Sequence, residues 1–264
     1  MNELEKKYRI VYFDQRNSGR AEGRFVKERI SLNQFVKNTD HIIDVINQKY
    51  NNPSIILMGH SWGGTLGTAY LLDSARQQKI KGWIEIDGGH NWTGLEKESR
   101  LYVMNYAYQH RNEKKWKRVF DWYKKNPVIN KNNIVRHAVY LQESHAYTPK
   151  EASGYNGYII PIRKMLFSYY YNVINSNYRT YKLAGVMDTF SINLTDRMHK
   201  IKIPSLIIWG EKDYRISSKF GYEAYNAVGS VSSEIVILPH SGHFPVPADY
   251  PLFTKSVDNF IKSL

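Results

Sequence analysis

One serine in this 264-residue chain stands in a setting that activates a nucleophile. Gly59-His60-Ser61-Trp62-Gly63 reads Gly-x-Ser-x-Gly, with the apolar run Ile55–Met58 before it and an alanine- and leucine-bearing helical pattern after it. A strand-to-helix turn sharp enough to present a serine strains its backbone, and small residues two before and two after relieve the crowding. Gly59, Ser61 and Gly63 meet that requirement, and the helix start below the serine favours nearby negative charge. A serine hydroxyl also needs a base and a group to orient that base. Behind such an elbow they follow in the order acid, then histidine. Asp213, just past Leu206–Trp209, is the favoured acid, with Glu211 and Asp87 as alternatives. His243 is the favoured base, because Gly242 lets the loop bend its imidazole towards Ser61, whereas His240 reads as loop structure. His60 is expected to pack beside the strand ends. The chemistry implied is attack of Ser61 on an ester or amide carbonyl, through an acyl-enzyme.

Alternating short apolar runs and helical stretches must position these residues, which predicts an α/β fold with a mainly parallel sheet and covering helices. Five strands are predicted, at residues 9–13, 54–58, 83–86, 205–209 and 234–238. Helices are predicted over 31–50 with Ser31 as N-cap, from 63 to about 78, over 217–227 and over 250–264. Residues 92–200 break the alternation. They hold 13 of the 21 tyrosines, including Tyr169-Tyr170-Tyr171, and helical spacing in Trp116, Phe120 and Tyr123. This stretch reads as a helical cap or lid inserted into a core formed by residues 1–91 and 201–264.

A hydrophobic content of 42% excludes wholesale disorder, and no apolar run approaches the ~20 residues a membrane-spanning helix needs. The absence of cysteine excludes disulfides, thiolate-ligated metals and thiol nucleophiles. Net charge is +13, and residues 92–200 carry 18 Lys/Arg against 8 Asp/Glu. Such a block is either a solvated basic insertion or an anion-binding surface. The first reading is adopted: a small-molecule or short peptide substrate, no nucleic-acid partner, no metal and no organic cofactor. No signal peptide is visible after Met1, and a cytoplasmic location is expected.

The chain resembles the α/β-hydrolases, and within them the proline iminopeptidase branch of the serine aminopeptidases. The resemblance rests on Phe13-Asp14-Gln15-Arg16, Gly59–Leu66, Trp209-Gly210-Glu211-Lys212-Asp213 and Ser241-Gly242-His243-Phe244. It implies a Ser61–His243–Asp213 triad, an oxyanion donor in the Trp62 N–H, and Glu143 in the cap as the anchor for a substrate ammonium. Carboxylesterases and lactonases share most of these motifs. Two departures stand out. Asn17 replaces the family's glycine after Asp-Gln-Arg, and asparagine tolerates the positive φ that turn needs. The family's first strands and its His-Gly-Gly-Pro-Gly loop, source of the second oxyanion donor, have no counterpart here. Met1–Tyr8 resembles the end of the helix that follows that loop, and a late start is expected in preference to a natural deletion. Losing one oxyanion donor costs ~10²–10³ in rate, so impaired catalysis, with the chain acting only in binding, is a further alternative.

Overall fold

A computed structural model describes residues 2–16, 21, 30–148 and 189–264, which fall into two compact units. Asn17 and the cap segment from 149 to 188, with its tyrosine run, lie outside the described residues.

The first unit contributes described residues up to Pro53. It holds a helical turn, α1 (Asn2–Glu5), and the long helix α2 (Leu32–Tyr50). Ser31 caps α2 as predicted, its Oγ accepting the Gln34 N–H at 3.1 Å. The strand predicted at residues 9–13 is not formed. A strand exists only through ladder bonds to a neighbour, and this segment instead reaches the unit's helices through Tyr12 and Arg9. Tyr12 donates to Glu5 at 2.6 Å, and the Arg9 guanidinium lies 4.5 Å from the centre of the Tyr50 ring. Phe13–Arg16 line an open cleft with Phe35, Asn38, His41 and Ile42 of α2.

The second unit carries a four-stranded sheet, one strand fewer than predicted. Its strands are β1 (Ile56–His60), β2 (Gly82–Ile86), β3 (Ser205–Gly210) and β4 (Ser233–Leu238), all parallel and neighbours in that order. The two middle strands are buried along their whole length, as expected of apolar runs covered on both faces. Pairing of Ile56 with Gly82 puts β1 two residues later than predicted. After β1 comes α3 (Trp62–Leu71), then the short α4 (Ser74–Gln77). The predicted single helix divides here because the Asp73 carboxylate accepts the N–H groups of Ala75 and Arg76 and starts a new turn.

Three helices follow β2: α5 (Trp92–Gln109), α6 (Lys114–Lys125) and α7 (Ile134–Glu143). Val103, Trp116, Val119, Tyr123 and Leu141 pack them into a cluster of their own. The helix α8 (Ser218–Ala227) lies between β3 and β4 in sequence, and α9 (Tyr250–Lys262) closes the chain. Trp209 of β3 centres the second cluster, packed with Phe220 and Ala224 of α8. No described helix is long and apolar enough to cross a membrane.

Candidate active site

The turn between β1 and α3 holds Ser61 at φ 56°, ψ −113°, a strained conformation for a residue with a side chain. The sheet enforces it: the Ser61 N–H donates to the Ile86 carbonyl at 2.9 Å, and the Ser61 carbonyl accepts from Gly64 and Gly89. Close approach around the turn differs from the sequence expectation. A Cβ on Gly59 would stand 2.2 Å from the Gly63 carbonyl oxygen, and one on Gly64 would stand 2.4 Å from the Gly88 Cα. At Gly63 a Cβ meets nothing within 4 Å among the described residues, so the crowding is relieved at Gly59 and Gly64.

Ser61, His243 and Asp213 form one hydrogen-bonded chain within the second unit. His243 Nδ1 lies 2.8 Å from Asp213 Oδ2, and its Nε2 lies 2.9 Å from Ser61 Oγ. With Nδ1–H donating to the carboxylate, Nε2 keeps a lone pair and accepts the serine O–H, the arrangement a general base needs. Burial holds the imidazole neutral and pushes it down to about 3, with the Arg215 charge adding to the effect. Burial raises the Asp213 carboxyl well above its ordinary range, against the opposing pull of the Ile216 and Arg215 N–H groups, each 2.8 Å from Oδ1, and of the Arg215 charge.

The alternative acids and base take other roles. Glu211 is exposed. His240 is tied to Asp249, through Nδ1 at 2.9 Å and its backbone N–H at 2.9 Å. Asp87 follows β2 and is fully buried, with Oδ1 accepting the Gly210 N–H at 2.8 Å. Burial and the nearby Asp213 charge raise it well above the carboxylate range. Of the two carboxyls, Asp213, with two N–H donors and a histidine partner, is the better placed to hold a negative charge.

Trp62 opens α3, so its N–H belongs to the donors at that helix's start, and its ring faces Trp92 at 6.2 Å. Glu143 ends α7 and pairs with Lys115 of α6 at 3.1 Å. His60 packs beside the strand ends, donating from Nε2 to the His243 carbonyl at 2.6 Å, and burial keeps it neutral, at about 4. Donor atoms of His60, Asp87 and His243 lie within 4.8 Å of one another. Both ring nitrogens of His243 are engaged by Asp213 and Ser61, so metal ligation there would dismantle the hydrogen-bonded chain.

Other contributors had no sequence signal of their own. The Tyr147 carbonyl accepts the His243 N–H at 2.8 Å, and its ring meets the imidazole edge-on at 5.6 Å. Arg215, two residues after the acid, reaches Glu96 of α5 at 2.7 Å. Behind the elbow, His90 lies between Glu85 of β2 at 3.5 Å and Glu223 of α8 at 3.4 Å. Against the pull of burial, Glu223 and Glu85 raise His90 to about 9. Spacing along the chain relates none of these partners, since the fold alone joins them.

Residues 1–248 match the family model described as the alpha/beta hydrolase fold. A proline iminopeptidase of Saccharolobus solfataricus is 22% identical over 259 residues, spanning 96% of this chain and 75% of that protein. A probable aminopeptidase of Bacillus subtilis is 31% identical over 65 residues, 24% of this chain and 20% of its own length. Among solved structures, an alpha/beta hydrolase from a Medee basin deep-sea metagenome aligns with TM-score 0.60 at 15% identity, covering 94% of this chain and 78% of that one. An esterase from Exiguobacterium antarcticum aligns with TM-score 0.58 at 14% identity, covering 94% and 80%. With its parallel sheet, its strained serine between strand and helix and a family match over most of its length, the chain belongs to the α/β-hydrolase family, whose members are generally hydrolases.

Proposed function

We propose that this chain is a serine hydrolase that cleaves an amide or ester through an acyl-enzyme, acting as an aminopeptidase of the proline iminopeptidase type. The observation that carries the reading is the continuous hydrogen-bonded chain from Ser61 Oγ through His243 to Asp213. His243 takes the Ser61 proton as Oγ attacks the carbonyl, and Asp213 stabilises the imidazolium that forms. The Trp62 N–H at the start of α3 binds the developing oxyanion. His243 then returns the proton to the leaving group and activates water for deacylation. In this reading α5–α7 belong to a cap over the site, and Glu143 receives the substrate ammonium. The proline iminopeptidase relative, aligned over almost the whole chain, supports the choice of substrate.

A carboxylesterase is the second reading, and the Glu143–Lys115 ion pair favours it, because a carboxylate already paired is a poor receptor for an ammonium. Hydrolysis of proline 4-nitroanilide and of 4-nitrophenyl acetate, each against Ser61→Ala, separates the two. Ser61-dependent cleavage of the anilide supports the aminopeptidase, and Ser61-dependent cleavage of the acetate alone supports the esterase. Turnover of neither by a folded wild-type protein contradicts both.

A further inference from the structure

A buried polar chain leaves the candidate acid and runs into the three helices after β2. The Arg215 N–H donates to Asp213 Oδ1 at 2.8 Å, and the Arg215 guanidinium donates to Glu96 Oε1 of α5 at 2.7 Å. It also reaches Ser99 Oγ of α5 at 3.4 Å and lies over the Trp92 ring at 5.8 Å. From Glu96 Oε2, His137 Nε2 of α7 is 3.3 Å away, and His137 Nδ1 is 2.7 Å from the Tyr123 hydroxyl of α6. Glu96, Ser99, Tyr123 and His137 are all buried. The Arg215 side chain is only 11% exposed.

Stability alone accounts poorly for such a pair. Desolvating two charges cancels most of their attraction, and apolar residues of similar volume are often as stable. What the pair adds is placement. Its planar fork is held at the far end by α5, while its own backbone N–H holds the acid. Asp213 has its Oδ1 on Arg215 and Ile216 and its Oδ2 on His243, so a shift of the 213–216 turn moves the acid away from the imidazole.

We propose that Arg215, clamped by Glu96, is a positioning residue that fixes Asp213 against His243 and makes that alignment depend on the packing of α5–α7. The inference rests on the serine-hydrolase reading only for its kinetic consequence, since the alignment itself is observable without turnover. The groups facing Arg215 are Glu96, His137, Tyr123, Tyr147 and Asp213, and those facing His243 are Asp213, Arg215, His60, Asp87 and Tyr147. Removing Glu96 and Arg215 together leaves no unpaired charge between them and takes away a positive charge that disfavours the imidazolium.

The test compares wild type with Glu96→Gln/Arg215→Met and with Arg215→Lys. Two readouts are used: the downfield proton resonance of the His243 Nδ1–H, and the rate at which a fluorophosphonate labels Ser61 as a function of pH. In the folded double variant the resonance is expected to broaden or move upfield. Labelling is expected to slow towards the ~10²-fold that a 1 Å misplacement can cost, with its acid limb moved to higher pH. Arg215→Lys keeps the charge without the fork, so it should keep the acid limb while slowing labelling several-fold, and it serves alone if the double variant does not fold. A wild-type resonance and wild-type labelling in a folded variant overturn the proposal. If the wild type shows the resonance yet Ser61 takes no label, the hydrolase reading fails and the resonance alone decides the positioning role.

Discussion

At the scale of single residues, the proposed chemistry depends on how the protein distributes protons. His243 is neutral because it is buried and because Arg215 adds a positive charge nearby. The acid limb of kcat/KM should therefore lie well below pH 6.5, and an acid limb near pH 7 would contradict that electrostatic picture. Asp87 and Asp213 are both buried, but Asp87 has one N–H donor, from Gly210, whereas Asp213 has two and a histidine partner. Asp213→Asn should lower kcat by about 10⁴-fold through the wrong histidine tautomer. Asp87→Asn, replacing a neutral carboxyl by a neutral amide, should leave kcat within a few-fold. Equal losses in the two variants would show that the acid has been misassigned. The elbow glycines separate in the same way. Gly59→Ala drives a Cβ into backbone and should cost about 1–3 kcal/mol or more, whereas Gly63→Ala should fold normally. Urea midpoints of the two variants check this directly.

At the scale of elements, Trp209 links β3 to the turn that carries the acid. Its ring is buried against Phe220 and Ala224, and its indole N–H donates to the Ile216 carbonyl at 2.7 Å. Trp209→Ala should cost about 3–5 kcal/mol, and a loss under 1 kcal/mol by urea unfolding would contradict this packing. Elements whose signals are local were legible in the sequence: the Ser31 cap, the apolar runs of β2 and β3, and the spacing of Trp116 and Tyr123 on α6. Elements defined by a partner were not. Residues 9–13 have the composition of a strand without a ladder, β1 takes its register from β2, and the 63–78 helix breaks where Asp73 caps a new turn. The Gly-x-Ser-x-Gly spacing of the elbow and the residues around His243 could be read because their chemistry is compressed into a few positions. Glu96, His137 and Arg215 could not, because only the fold brings them together.

At the scale of the whole molecule, three histidines make the stability of the fold depend on pH. His243 and His60 stand at about 3 and about 4 in the folded chain, against an ordinary 6.5. The unfolded chain binds those protons first, so their contribution is present above pH 6.5 and lost as pH falls towards 4 and then 3. His90, raised to about 9 between Glu85 and Glu223, contributes fully below pH 6.5 and loses that contribution as pH rises through 9. These histidines therefore make the urea midpoint fall as pH drops below 6.5 and fall again as it rises through 9, and a midpoint still rising above pH 9 would contradict the His90 environment. The proposed chemistry requires that Ser61 be a nucleophile activated by His243 and Asp213. Fluorophosphonate labelling, with the modified residue mapped by mass spectrometry and Ser61→Ala as control, tests it. A single adduct on Ser61 is expected, absent from Ser61→Ala and strongly slowed in His243→Ala. A folded protein that takes no label, or takes it at another residue, would contradict it.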